Sequence, residues 1–314
     1  DNRIQMIADY YQKKTTDILM RLPIPDLVGY LDAPYQNAGA VDNYGWDLDV
    51  NWQDQIENFR YNLGFKLSHV RNEISDLAGR EEIIDSDNIN RVGHPIDAYY
   101  GYVNTGFFQS QEEIDNHADQ STLGGSPRPG DLKYKDISGP DGEPDGKITP
   151  EYDRKIIGTP FPDLTYSFNL GAGYKNFDVS VFFQGIEGVT RQYNLDTEGN
   201  GAGLETWMDY WREDNQNASF PRFGNDNHNS QSSTFWMRDA SYIRLKNMQL
   251  GYTLPQNLTS KVGIEKVRVY FSGYNLLTFT QVTDYDPEKW AADNRNSQYP
   301  NSKVYTFGIN VTFQ

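Results

Sequence analysis

The residues best suited to chemistry lie in an acidic stretch over 136–153, DISGPDGEPDGKITPEYD. Its acidic side chains follow the Asp-x-acid-x-Asp-Gly spacing of a calcium loop, in which carboxylate and backbone carbonyl oxygens surround the ion. The candidate ligands are Asp141, Glu143, Asp145, the backbone carbonyl of Lys147, and Asp153. The carboxylate expected at the twelfth loop position is replaced by Tyr152. Two alternatives therefore stay open, a structural calcium ion in this loop or a turn-rich acidic loop without metal.

Aromatic side chains in long loops form the second group of candidates. Exposed aromatic rings can stack on sugar rings or hold a peptide. The candidates for such substrate contacts are Tyr99, Tyr100, Trp207, Trp211 and Trp236. The alternative is that these rings pack the loops against each other or against a partner protein.

The sequence contains no catalytic motif. It has no Gly-x-Ser-x-Gly, P-loop or dinucleotide fingerprint, and its four histidines lack the paired spacing of a zinc site. Because cysteine is absent, thiolate metal sites and cysteine nucleophiles are excluded. We therefore predict no catalytic residues, no enzyme activity and no required cofactor.

Composition narrows the classes of partner. The formal net charge of -16 argues against nucleic acid and against an anionic lipid surface. Aromatic residues make up 14% of the chain, yet the mean hydropathy is -0.74. No stretch approaches the ~18 consecutive apolar residues of a transmembrane helix, so any membrane crossing would have to be made by alternating strands.

Alternation with period two runs along the whole chain. In residues 162–185, PDLTYSFNLGAGYKNFDVSVFFQG, apolar side chains occupy every second position, and the phase changes at Lys175-Asn176. A two-residue turn there places Tyr174 opposite Phe177 on one apolar face. The same pattern predicts six further strands within residues 3–12, 46–52, 59–67, 241–254, 267–271 and 305–313.

The connections between these eight strands alternate in length. Short connections cover residues 53–58 and 175–176, and a third short connection follows Leu254. The longest connections include the loop regions 71–162 and 186–240. Short turns at one end and long loops at the other are typical of a transmembrane antiparallel β-barrel. The alternative is an antiparallel sheet that packs its apolar face on a soluble core.

Three finer predictions follow from the pattern. A change of phase near Asn247 predicts a β-bulge. The run AYYGYVNTGFF (98–108) is interpreted as an extension or fold-back strand of a long loop, not as another membrane crossing. The polar positions that would line a barrel lumen include Arg60, Asn62, Lys66, Asn169 and Asn310.

Several stretches carry a family resemblance, and they occur in one order along the chain. They are NAGAVDNYGWDLDVNW (37–52), GHPIDAYYGYVNTGFFQSQEEID (93–115), GDLKYKDISG (130–139), DGKITPEYDRKIIGTPFPDLTYSFNL (145–170), NASFPRF (217–223), DASYIRLKNMQLGYTLP (239–255), VRVYFSGYNLLTFT (267–280) and YTFGINVTF (305–313). Together they resemble the C-terminal portion of SusC/RagA-type TonB-dependent outer-membrane transporters of the Bacteroidetes. The resemblance implies that residues 1–314 form about the last eight strands of a 22-stranded barrel, with long extracellular loops and short periplasmic turns.

The resemblance also implies a function and partners. It implies active import of oligosaccharides or peptides across the cell outer membrane, with a SusD-like surface lipoprotein over the long loops. The TonB complex would act through a plug and N-terminal part that nothing in these residues resembles, and outer-membrane lipid would surround the barrel. We expect the chain to be part of a longer polypeptide, because a sheet with two free edges would be unstable alone.

One feature departs from the family pattern, and one alternative function stays open. The family usually ends on a terminal aromatic residue, whereas Gln314 follows Phe313 here. The extra residue puts in doubt how well the last strand signals insertion into the membrane. The alternative function is that of a soluble secreted β-sandwich that binds glycans through loop aromatics.

Overall fold

The computed structural model describes residues 3–21, 35–193, 208–224, 228–283, 286–289 and 300–313. In chain order the strands are β1 (Ile4–Thr15), β2 (Leu19–Arg21), β3 (Tyr35–Asn37), β4 (Ala40–Ile56), β5 (Phe59–Asp76), β6 (Glu82–Asp85), β7 (Asn88–Arg91), β8 (Ala98–Tyr102), β9 (Asn104–Phe107), β10 (Leu132–Tyr134), β11 (Arg154–Gly158), β12 (Leu164–Tyr174), β13 (Phe177–Glu187), β14 (Thr190–Gln192), β15 (Met237–Asp239), β16 (Tyr242–Thr253), β17 (Ile264–Thr280) and β18 (Val304–Phe313). The helices are α1 (Gln111–Asp115) and α2 (Gln256–Thr259), with 3-10 turns at Ser121–Leu123 and Ser260–Val262. Within the described ranges, neither α-helix has the length and apolar character that a membrane crossing requires.

Eight strands form one antiparallel sheet in the order β1-β4-β5-β12-β13-β16-β17-β18. Each strand predicted from the period-two pattern corresponds to one strand of this sheet, so the predicted set is confirmed. Strands β1 and β18 lie at the two edges, and over the residues that the structure describes the sheet does not close on itself. The fold is thus an arc of antiparallel barrel wall whose strands follow each other as a meander.

The register agrees with the predicted turn and bulge. Tyr174 pairs with Phe177 across β12–β13, and Lys175 adopts a φ of 52°, the left-handed conformation that such a two-residue turn needs. In β16 the pairing with β17 shifts between Leu245 and Asn247, where the alternation changes phase. The predicted bulge is confirmed, and it keeps apolar side chains on one face on both sides of the shift.

The β4–β5 turn is shorter than predicted. The sequence assigned residues 53–58 to this connection, but β4 and β5 stay paired as far as Ile56 and Phe59. Glu57 takes a φ of 50° in the remaining two-residue turn. The prediction of a longer turn was wrong because polar residues at the end of β4 still hydrogen-bond in the ladder.

Among the described residues, nothing covers the apolar face of the main sheet. Many of its large side chains are exposed, for example Phe307 at 82%, Phe313 at 72% and Phe177 at 56%. A β-sandwich would bury such a face against a second sheet, so the soluble sandwich alternative is wrong for this chain. Aromatic rings gather at the short-turn end, where the ring centroids of Phe177 and Tyr252 lie 4.6 Å apart.

Smaller sheets and loops form an assembly at the other end. It contains the sheets β11-β8-β7-β6, β9-β10, β14-β15 and β2-β3. Its main core is made of Tyr102, Leu123, Leu132, Tyr134, Ile148, Phe220 and Trp236. Residues 98–108 contribute β8 and β9 to these sheets, so the predicted fold-back strand is confirmed. The long loops therefore have a hydrophobic core of their own.

Candidate functional site

The polar face of the main sheet carries a groove with a volume of about 440 Å³. Its lining comes from β1, β4, β5, β12 and β13 and includes Asp9, Asp47, Asp49, Lys66, Ser167 and Gln184. The Lys66 Nζ lies 2.9 Å from Asp49 Oδ2. Asp9 and Asp47 are direct cross-strand partners, an arrangement of like charges that costs stability in a sheet. This part of the polar face is therefore acidic and has the size of a small-ligand site.

The predicted lumen residues lie on this polar face, where several of them are paired with glycines. The in-register pairs across β5–β12 are Arg60–Gly173, Asn62–Gly171 and Asn169–Gly64. A Cβ on any of these glycines would overlap the polar side chain of its partner. The long side chains therefore lie flat against the wall instead of projecting away from it. Lys66 lines the groove, and Asn310 pairs with Arg268 near the sheet edge.

Nearer the short-turn end of the same face, an ion pair and its hydrogen bonds link three strands. The Arg268 Nε donates to Asp178 Oδ1 at 3.0 Å, and its Nη2 contacts the second Asp178 oxygen. The same Nη2 donates to Gln249 Oε1 at 2.9 Å. Gly251 lies beneath the guanidinium, because a Cβ there would overlap it. The pair links β13, β16 and β17 on the face that the strand alternation makes polar.

The acidic loop uses its carboxylates to bind its own backbone. Asp153 is fully buried, and its Oδ1 accepts from the Ile137 N–H at 2.7 Å. Its Oδ2 accepts from the Thr149 N–H at 2.7 Å. Asp145 Oδ1 accepts from the Lys147 N–H at 2.9 Å. Buried carboxylates with such partners close a loop without requiring a cation.

The predicted calcium ligands are consequently not brought together. Asp141, Glu143 and Asp145 are exposed, whereas Asp153 is in the interior. Over the described part of the chain, no three Asp, Glu or His side chains converge as a metal site would require. The residue spacing of a calcium loop is present in the sequence, but the path of the backbone keeps the candidate carboxylates apart.

Four of the five loop aromatics are buried, and the expectation that these four are exposed was wrong. Tyr99, Tyr100, Trp211 and Trp236 are each no more than 6% exposed, and Trp207 lies outside the described residues. The Trp211 Nε1 donates to Gln109 Oε1 at 3.0 Å, and Trp236 Nε1 donates to the Asn229 carbonyl at 2.8 Å. The Arg154 guanidinium lies 4.8 Å from the Tyr100 ring centroid. These contacts support the alternative in which the rings pack the loops together.

A buried polar network, which the sequence did not indicate, joins distant loop segments. Gln120 accepts from the Tyr134 N–H, donates to the Leu132 carbonyl and contacts His228. The Tyr134 hydroxyl donates to the His228 carbonyl at 2.8 Å, and burial raises the pKa of that hydroxyl. Asp131 is held by the Arg222 Nε at 2.7 Å. The contacts with His228 and the Asp131–Arg222 pair join residues 91 to 108 positions apart, a separation that no local motif reports.

Comparison with known proteins identifies the class of protein to which this barrel wall and its loops belong. The family described as TonB dependent receptor-like, beta-barrel matches residues 1–276. The chain therefore belongs to the TonB-dependent receptor β-barrel family. Members of this family reside in the cell outer membrane. The apolar face of the main sheet accordingly contacts lipid, the polar face lines the lumen, and the loop assembly lies at the outer end.

Individual relatives refine the comparison. The chain is 33% identical over 338 residues to TonB-dependent receptor P3 of Formosa agariphila, covering all of this chain and 33% of the relative. It is 24% identical over 324 residues to TonB-dependent receptor SusC of Bacteroides thetaiotaomicron, covering 30% of that protein. The structure of the RagAB peptide transporter matches with a TM-score of 0.74 and 28% identity, over 99% of this chain and 33% of that one.

These coverages show that the chain spans about a third of the length of the relatives it matches. The resemblance to SusC/RagA-type transporters predicted from the sequence is confirmed by both kinds of comparison. The relatives are named as receptors and transporters and not as enzymes.

Proposed function

We propose that this chain forms part of the barrel wall of an outer-membrane importer for oligosaccharides or peptides. The observation that carries the proposal is the match to the RagAB peptide transporter over 99% of the chain with a TM-score of 0.74. The similarity to SusC and the structural match to the RagAB transporter both support a transporter of the SusC/RagA type. No catalytic residues or cofactor enter the proposal.

In this function the two faces of the wall have separate tasks. The apolar face holds the barrel in lipid, where every backbone polar group must be paired within the protein. The polar face lines the path of the substrate. Its flat side chains, such as Asn62 and Asn169, offer hydrogen-bonding groups to a hydrated substrate without blocking the lumen. The groove beside Lys66 and Asp49 lies along that path.

Partners follow from the same proposal. A SusD-like surface lipoprotein would sit on the loop assembly, whose hydrophobic core provides a rigid platform. The TonB complex would supply energy through plug and N-terminal segments belonging to the remainder of the transporter. Buried aromatics such as Trp236 would then contribute by keeping this platform in shape and not by stacking on substrate.

The test is to purify the full-length transporter with its co-purifying proteins and to identify bound ligand by mass spectrometry. An oligosaccharide or peptide in the complex, together with a lipoprotein partner, is the expected result. A deletion strain should lose growth on that ligand and regain it on complementation. A bound metal chelate in place of an oligosaccharide or peptide would overturn the proposal.

A further inference from the structure

The segment at residues 286–289, in the connection between β17 and β18, is attached to the barrel wall by one arginine. Arg244 on β16 is 4% exposed, and all three of its guanidinium nitrogens are bound. Its Nη2 lies 2.7 Å from Asp286 Oδ1, and its Nη1 lies 2.7 Å from Glu288 Oε2. Its Nε donates to the Thr278 hydroxyl at 2.7 Å. This fork geometry fixes the segment in both position and orientation.

Further contacts surround the same two carboxylates. Lys246 Nζ lies 2.9 Å from Glu288 Oε1, and the Tyr242 hydroxyl donates to that oxygen at 3.0 Å. Asp286 accepts from the backbone N–H of Asn301 at 2.7 Å. Two cations therefore face two carboxylates, and the contact is balanced in charge. A buried arrangement of this kind is strongly favoured only when every partner is in place.

The side of the wall on which this contact lies follows from the register. Arg244 pairs with Gln184 on β13 and with Thr278 on β17. Gln184 also lines the groove on the polar face, so Arg244 points to the lumen and not to lipid. The segment consequently lies inside the wall, at its outer end, above β16 and β17.

We propose that Arg244 is a positioning residue that holds residues 286–289, the mouth ledge, inside the outer opening of the lumen. The ledge narrows the opening over β16 and β17, and among the described residues it does not line the groove on β1, β4, β5, β12 and β13. Arg244 thereby limits the width of the substrate that can enter. The inference rests on the proposed import function, but the position of the ledge can be measured without any substrate.

Because residues 1–314 contain no cysteine, the position of the ledge can be measured with paired spin labels. Lys289→Cys on the ledge and Ser180→Cys on the lumen face are both at exposed positions. In the full-length transporter, with any cysteine elsewhere replaced, we expect one narrow peak in the distribution of distances between the two labels. Arg244→Ala should abolish that narrow peak, and Arg244→Lys should retain part of it.

Arg268→Ala is the matched control. Arg268 is also a lumen arginine paired with a carboxylate, but its partner Asp178 lies on β13 and not on the ledge. The control should keep the narrow distance. A narrow peak that survives in Arg244→Ala would overturn the proposal, and so would a peak lost equally in both variants, since that result indicates general loosening of the wall.

A second readout tests the width of the opening. A Tyr274→Cys variant, at an exposed lumen position of β17 that is not among the hydrogen-bond partners of Arg244, is treated from outside with a small maleimide and with a polymer-linked maleimide. Arg244→Ala should raise the labelling rate of the bulky reagent several-fold more than that of the small one. Equal changes for both reagents would show that the ledge does not restrict size. Ligand identification by mass spectrometry tests import separately, so the two proposals can fail independently.

Discussion

Gly64 on β5 and Asn169 on β12 are register partners on the lumen face, and the Asn169 amide occupies the space that a Gly64 Cβ would need. The same relationship recurs next to it, where Asn62 lies over Gly171. Polar side chains can thus cover the wall without projecting into the lumen. Glycine is required at these positions for space, because neither Gly64 nor Gly171 has a positive φ.

Gly64→Ala should therefore destabilise the barrel by about 1–3 kcal/mol, the usual cost of forcing a side chain into occupied space. The temperature at which the full-length protein loses its compact mobility on SDS gels measures the effect. Asn169→Ser in the same protein removes the overlapping amide and should recover most of the loss. An equal loss in Gly64→Ala and in the double variant would contradict the stated cause.

Asp153→Ala should loosen the acidic loop. Its buried carboxylate holds the backbone N–H groups of Ile137 and Thr149, and leaving such donors unpaired costs about 1–3 kcal/mol. Limited proteolysis followed by mass spectrometry should show faster cleavage within 136–153. Asp141→Ala is the matched control, since Asp141 is exposed in the same loop. Faster cleavage in the control as well would show that the loop depends on its total acidic charge.

Chelation separates the two alternatives that the sequence left open for this loop. The contacts of Asp153 and Asp145 with backbone N–H groups predict that EDTA leaves the cleavage rate within 136–153 unchanged in the purified protein. The same measurement with added calcium serves as the comparison. Protection that appears with calcium and disappears with EDTA would restore the predicted calcium site.

The mouth ledge should detach in acid. Burial alone would raise the pKa of Asp286, but hydrogen bonds from Arg244 and from the backbone of Asn301 and Glu288 outweigh it and lower the pKa. A carboxyl whose pKa is lower in the folded state stabilises the fold above its unfolded pKa of about 3.9, and this stabilisation is lost as the pH falls through the folded value. The narrow spin-label distance should persist from neutral pH to about pH 4 and broaden below it.

Asp286→Asn supplies the comparison for that titration. An amide cannot carry the charge that Arg244 binds, so the variant should show a broad distance already at neutral pH. If the distance distribution of the parent protein broadens well above pH 4, a group other than Asp286 controls the detachment of the ledge.

The sequence predicted the wall well because the wall is built from local information. Alternation of side chains along a strand sets which face is apolar, and a two-residue turn such as that at Lys175 sets the register of the next strand. The bulge at Asn247 was visible for the same reason. The β4–β5 turn was misjudged because the polar end of β4 resembles a loop in composition while it remains paired.

The loop assembly was predicted less well because its contacts are distant in sequence. Arg244 and Asp286 are 42 residues apart, and no spacing rule connects them. Trp236 was predicted to be exposed because it lies in a long loop, yet its ring is in the core. Asp153 matched a metal-loop pattern only because turn-forming and metal-binding loops use the same residue types.

The most direct test of the central claim compares neighbouring positions on β12 of the full-length protein in lipid. Leu170 belongs to the apolar face, and Asn169 belongs to the polar face. Spin labels at the two positions should respond oppositely, with Leu170→Cys relaxed mainly by oxygen dissolved in lipid and Asn169→Cys mainly by a water-soluble nickel complex. Equal access of both reagents to both positions would contradict a barrel wall with lipid on one side and the lumen on the other.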